Sequence, residues 1–108
     1  MFKLLDVLLR RLVKDGALTV EDAAGDRHRY GDGTPPHVSV RILDGRLERH
    51  LAVDPELAVG EGYMDGRLVM EQGGIYDLLA LLLRNARTHK IHGASMSRYL
   101  LRRLEQFN

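Results

Sequence analysis

His89 and His92 are the two residues whose spacing most resembles a metal pair, because side chains three apart can share one face of a helix. A zinc site needs three or four ligands, the chain has no cysteine, and His28, His37 and His50 have no matching neighbour. Glu61 and Asp65, four apart, could act as paired carboxylates, but two acids on an exposed helix face are ordinarily solvated rather than catalytic. No Gly-x-Ser-x-Gly elbow, phosphate loop or dinucleotide fingerprint occurs, and Gly60-x-Gly62 lacks the preceding strand such a fingerprint requires. No catalytic constellation, metal site or cofactor site is therefore expected in this chain.

The charge pattern is more informative. Over 108 residues the net charge is +1, yet residues 1–14 carry +3, residues 15–83 carry −7 and residues 84–108 carry +5. Basic ends around an acidic middle suggest an anionic partner, provided the ends meet in space. Arg84, Arg87, Lys90, Arg98, Arg102 and Arg103 run without an intervening acid beside a leucine-rich stretch holding Leu78, Leu79, Leu82 and Leu83. That mixture suits an anionic lipid surface, where headgroups meet the cations and apolar side chains insert. Nucleic acid is not expected, since single-strand binders add aromatic stacking platforms and this region offers only Tyr99 and Phe107.

Length and composition predict one domain with its own core. The absence of cysteine fits a reducing compartment. Leu78 to Leu83, the longest unbroken apolar run, is far short of the roughly 20 residues a membrane span needs. Charges interrupt Phe2 to Lys14 and no small-residue cleavage site follows, so no secretory signal is read there. The expected location is the cytoplasm, with peripheral attachment to a membrane.

Phe2, Leu5, Leu8, Leu9, Leu12 and Val13 recur at helical spacing, with Gly16 as a stop. Leu18 to Glu21 and Arg27 to Tyr30 read as a hairpin around Ala24-Gly25-Asp26, Gly31 to Pro36 as a loop, and Val38 to Ile42 as a strand with one buried face. Arg46 to Leu51 is a short helix. Asp54 to Gly66 reads as a second one: Asp54 can cap it, Pro55 suits the first turn, Glu56 suits the helix dipole and Gly66 suits a left-handed stop. Gly60 and Gly62 inside it each cost about 1 kcal/mol relative to alanine, which predicts close approach by a neighbouring element. Arg67 to Glu71 has strand composition, Ile75 to Ala86 is a leucine-rich helix so apolar that it is either central to the core or covered by lipid or a partner, His89 to Ser95 is a loop, and a last helix begins near Ser95. The expected class is α+β, a small, largely antiparallel sheet covered by helices.

Gly31-Asp32-Gly33, Pro35-Pro36, Val40-Arg41-Ile42, Pro55 to Gly66 and Ile75-Tyr76-Asp77-Leu78-Leu79 together resemble the N-terminal domain of cyclopropane-fatty-acyl-phospholipid synthases. Gly60, Glu61, Tyr63, Met64, Asp65 and Gly66 carry the signature, and Gly62 stands where that family commonly has alanine. The resemblance implies a lipid-associating fold similar to sterol carrier proteins over residues 1–95. It also implies a helix at residues 96–108 leading into a linker to an S-adenosylmethionine-dependent methyltransferase domain. Cofactor and catalytic residues would belong to that domain, so none carries over, and the signature residues are expected to be structural. The function implied is a non-catalytic accessory domain that binds phospholipid or the inner face of a membrane and presents acyl chains to the catalytic module. A stand-alone lipid carrier and a dimerisation or interaction domain are the alternatives.

Overall fold

A computed structural model of the chain describes residues 2–88, the last three by backbone alone. Its elements run α1 (Lys3–Leu12), β1 (Ala17–Glu21), β2 (Arg27–Gly31), β3 (His37–Ile42), α2 (Gly45–Val53), α3 (Pro55–Asp65), β4 (Leu68–Gln72) and α4 (Ile75–Thr88). The strands form one mixed sheet in the order β2-β1-β3-β4. The outer ladders, β1 with β2 and β3 with β4, are antiparallel, whereas the central ladder of β1 with β3 is parallel. The α+β class is as expected, and the parallel centre is what hairpin logic alone does not supply. β2 folds back along the far side of β1, which leaves the other edge of β1 open for β3.

Alternation along the strands sets the two faces. Leu18 and Val20 on β1, Tyr30 on β2 and Val38, Val40 and Ile42 on β3 are buried, while Arg27, Arg29, His37 and Arg41 are exposed. The register places Leu18 between Tyr30 and Val38, and Val20 between His28 and Val40. The helices cover the apolar face. Leu5 and Leu9 of α1, Leu51 of α2, Val59 of α3 and Leu78 and Leu82 of α4 close with the strands around a cavity of only about 30 Å³. Each fully buried side chain of this kind contributes about 1.5–3 kcal/mol.

The helix termini show which local signals were obeyed. Asp44 caps α2, its carboxylate accepting from the Arg46 N–H at 3.0 Å. Asp77 reaches back to the Gly74 N–H at 2.7 Å at the start of α4. Gly66 ends α3 in the left-handed conformation at φ 78°, and the Arg67 N–H closes on the Gly62 carbonyl at 2.8 Å. Asp54, expected to cap α3, makes no side-chain cap bond; its carbonyl accepts from Ala58 and its N–H closes α2 on the His50 carbonyl. One residue joins two helices, so its backbone conformation answers to both. Glu56 stands in the first turn of α3, as its suitability for the helix dipole implies. It is also buried, one carboxylate oxygen has no partner, and burial together with nearby Asp54 raises its pKa. Its cost to the fold grows as pH rises above the ordinary carboxylate range.

The glycine at position 62 is explained by α2. A Cβ there would stand 2.8 and 2.9 Å from the Leu47 methyl groups, and Leu47 is 0% exposed. The two helices meet where the glycine lies, so a bare backbone receives a whole leucine. Gly62→Ala is expected to lower the melting temperature even though alanine is the better helix former by about 1 kcal/mol. The cost should shrink in a Leu47→Ala background, giving a coupling above about 0.5 kcal/mol in a denaturation double-mutant cycle.

Asn85, fully buried in α4, fixes the other end of the helical layer. Its Oδ1 accepts from the Lys14 and Asp15 N–H groups at 2.9 Å each, and its Nδ2 donates to the Asp15 carbonyl at 3.1 Å and the Leu81 carbonyl at 2.8 Å. Gly16 follows at φ 93°, and any Cβ there would collide with Leu81. Asn85→Leu preserves volume but strands two buried donors, so a loss of about 2–4 kcal/mol is expected by chemical denaturation.

Candidate functional site

The residues singled out for lipid contact divide sharply. Leu78, Leu79 and Leu82 belong to the core, at 2%, 3% and 4% exposure. That corrects their assignment to a lipid-facing surface: α4 is apolar on so many sides because it packs against both the sheet and α3. Leu83 is half-buried and Arg84 exposed. The side chain of Arg87 and all of Lys90, Arg98, Arg102 and Arg103 lie outside the described residues, as do His89, His92 and the boundary between residues 95 and 96.

The signature residues are spread over both sides of α3. Gly60 is buried and Tyr63 and Met64 pack against the core, whereas Glu61 and Asp65 are exposed. Asp65 pairs with Arg67 at 2.8 Å. Glu61 lines a recess with His50, Val53, Asp54, Leu57 and Ala58, and Asp65 is not among its lining residues. Among the described residues no group of three or more His, Asp or Glu side chains is placed to hold a metal ion.

Among the described residues, α1 presents apolar and basic groups together on its surface. Its inner face, Phe2, Leu5, Leu9, Leu12 and Val13, is buried. Leu8, assigned to that stripe by periodicity, is 36% exposed, and Leu4 and Val7 are 63% and 45% exposed. Lys3, Arg10, Arg11 and Lys14 are exposed on the same helix or just after it. Arg10 is partly neutralised by Asp6 at 3.1 Å; among the described residues no ion pair includes Lys3, Arg11 or Lys14, although Lys3 shares a recess with Asp6, Asp22, Asp26 and Glu48. The Asn85 bonds to the backbone of Lys14 and Asp15 bring this end of α1 to the end of α4. Arg84 of α4 also lies beside Gly16, its Nη2 3.3 Å from where a Cβ would stand. The basic beginning of the chain and the first arginine of its basic end are therefore neighbours.

A polar clasp holds α1 to the hairpin. Tyr30 donates to Asp6 at 2.7 Å, His28 meets Asp22 at 2.7 Å, and the other His28 ring nitrogen stands 4.0 Å from Asp6. The Phe2 ring stacks on His28 at 4.2 Å. Asp22 also accepts the Ala24 and Asp26 N–H groups, forming the turn between β1 and β2. A histidine–carboxylate pair can move protons, yet the adjoining recess is lined by Phe2, Lys3, Asp6, Asp22, Ala23, Ala24, Asp26, His28, Gly45 and Glu48, without a hydroxyl or thiol to activate. The pair is a fastening. It was hidden in the sequence because neither residue lies in a motif; six residues apart, they meet only once the hairpin is formed.

These features define a two-layer α+β domain with a closed core and a basic, partly apolar helix on its surface. The chain belongs to the family described as a domain of unknown function (DUF7884), whose profile matches residues 4–92. No curated protein matches it.

The clasp sets an acid limit on stability. Burial works to raise the Asp22 pKa, but the His28 bond and the Asp26 and Ala24 N–H groups outweigh it and hold the carboxyl below its ordinary value. Asp6 is held low chiefly by the Tyr30 hydroxyl. Both carboxyls therefore contribute stability that is present above the unfolded value of about 4 and is lost as pH falls through the folded values. The midpoint for denaturation should drop more steeply from pH 5 to pH 2.5 in the wild type than in Asp22→Asn, which is less stable at pH 6.

Proposed function

We propose that this chain is a non-catalytic accessory domain that associates peripherally with anionic phospholipid and presents acyl chains to a cyclopropane-fatty-acyl-phospholipid synthase-like methyltransferase module. The observation that carries this reading is the meeting of the basic end of α1 with Arg84, the first arginine of the basic C-terminal stretch, beside the point where Asn85 binds Lys14 and Asp15. Arg10, Arg11 and Lys14 then form one field with Arg84, and each cation near an anionic headgroup layer contributes about 1 kcal/mol.

The reading assigns lipid to the surface of the domain. A cavity of about 30 Å³ has room for a single water, whereas small-molecule pockets run to about 300–1,000 Å³, which favours surface contact over an enclosed carrier. No helix among the described residues is long and apolar enough to cross a membrane, consistent with attachment from one side. S-adenosylmethionine chemistry is assigned to the separate module. The glycine pair of α3 makes no cradle for a cofactor here, since Leu47 fills the space over Gly62.

Co-sedimentation of the full chain with phosphatidylglycerol and phosphatidylcholine vesicles tests the proposal. Binding should be confined to the anionic vesicles and fall as salt rises from about 50 to 300 mM, where screening shortens the reach of each charge. Arg11→Glu/Lys14→Glu/Arg84→Glu should lower partitioning by roughly a hundredfold or more. Equal binding to both lipids, or no effect of the charge reversals, would remove the electrostatic basis of the reading. A concentration-dependent mass with no lipid binding would favour the interaction-domain alternative.

A further inference from the structure

We infer that α1 is the element that enters the lipid, lying in the plane of an anionic bilayer with Leu4, Val7 and Leu8 below the headgroups. The inference rests on the proposed phospholipid association and names the surface and depth at which it occurs. A helix that only covers a core needs one apolar stripe. α1 has two, and its inward stripe of Leu5, Leu9 and Leu12 is already satisfied by the sheet.

The outward side chains fall at i, i+3 and i+4, so they share one face one turn deep. Arg11 falls three and four residues after Leu8 and Val7, on the same face, and Lys3 and Lys14 are exposed at the two ends of the helix. That arrangement fits an anionic bilayer better than a protein groove. A leucine and a valine can enter the acyl boundary while long basic side chains reach up to phosphate, and the charge is of the sign such a surface attracts. The clasp of Asp6, Tyr30, His28 and Phe2 prevents the helix from rolling, so the outward face stays outward. The other exposed large apolar side chains, Leu43, Val53 and Tyr76, each stand singly on their own element, so that although α2 also carries Arg46 and Arg49 it presents one apolar side chain rather than three on a face.

The chain has no tryptophan, so Val7→Trp gives a single fluorescent reporter on this face. With phosphatidylglycerol vesicles its emission should shift to the blue, and lipids brominated along the acyl chain should quench it. Leu4→Ser/Leu8→Ser in the same background should abolish the shift and lower partitioning about tenfold. Circular dichroism of each variant establishes that the fold is intact. Salt-sensitive binding with no shift or quenching would overturn insertion by α1 while leaving the electrostatic association standing. Absence of binding at low salt by the well-folded wild type would overturn both. A blue shift on adding protein rather than vesicles would place a second chain on this face and overturn the lipid assignment.

Discussion

The joining of α1 to α4 depends on how one buried amide is satisfied. Asn85 carries two donors and two acceptor lone pairs into a site with no solvent, and all are taken up by Lys14, Asp15 and Leu81. An apolar residue there would leave the turn after α1 with unsatisfied N–H groups, and a charged one would bring a desolvation cost. The turn can therefore be tight and buried only because α4 presents this side chain at this height. The position of α1, the entry of β1 into the centre of the sheet and the closure of Gly16 against Leu81 follow from the same contact.

Much of the secondary structure was legible from periodicity and punctuation. Val38, Val40 and Ile42 alternate as a half-buried strand must, and Pro55 and Gly66 bracket α3 within a residue of its observed bounds. Packing partners were less legible. The glycine at 62 announced a close approach, but only the fold identifies Leu47 as what approaches. Asn85 left a faint trace, one amide beside the leucines of α4, and that residue type is common enough on helix surfaces to conceal its role. The leucines of α4 misled in the opposite direction, because apolar composition does not distinguish a face covered by protein from one covered by lipid. On α1, periodicity assigned Leu8 to the core face. The helix turns by 100° per residue, and Leu8 and Leu9 cannot both point along the same direction.

The candidate surface was legible in its charge but not in its location. Summing charge along the chain showed two basic ends, and nothing in one dimension could show that α1 and α4 are adjacent. Buried apolar groups and exposed ones then sort the possible roles. The closed core leaves little space to enclose a ligand, the histidine–carboxylate pair closes the hairpin while Tyr30 and Phe2 fasten α1 to it, and the outer face of α1 is an unusual surface among the described residues. Stability and surface chemistry thus share one helix, with its two faces under separate constraints.

The parallel pairing at the centre of the sheet bears on how the chain comes off the ribosome. β1 and β2 can form a local hairpin as soon as both have emerged, and β3 then adds to the open side of β1, followed by β4 on the open side of β3. β2 remains one edge throughout, and the sheet grows from the open side of β1, so that β3 and then β4 become the opposite edge in turn. Such growth keeps each new pairing close to strands already laid down and limits the time an apolar edge waits for its neighbour. The helices follow the same timetable: α1 is made first but cannot be locked by Asn85 until the last described helix has been synthesised.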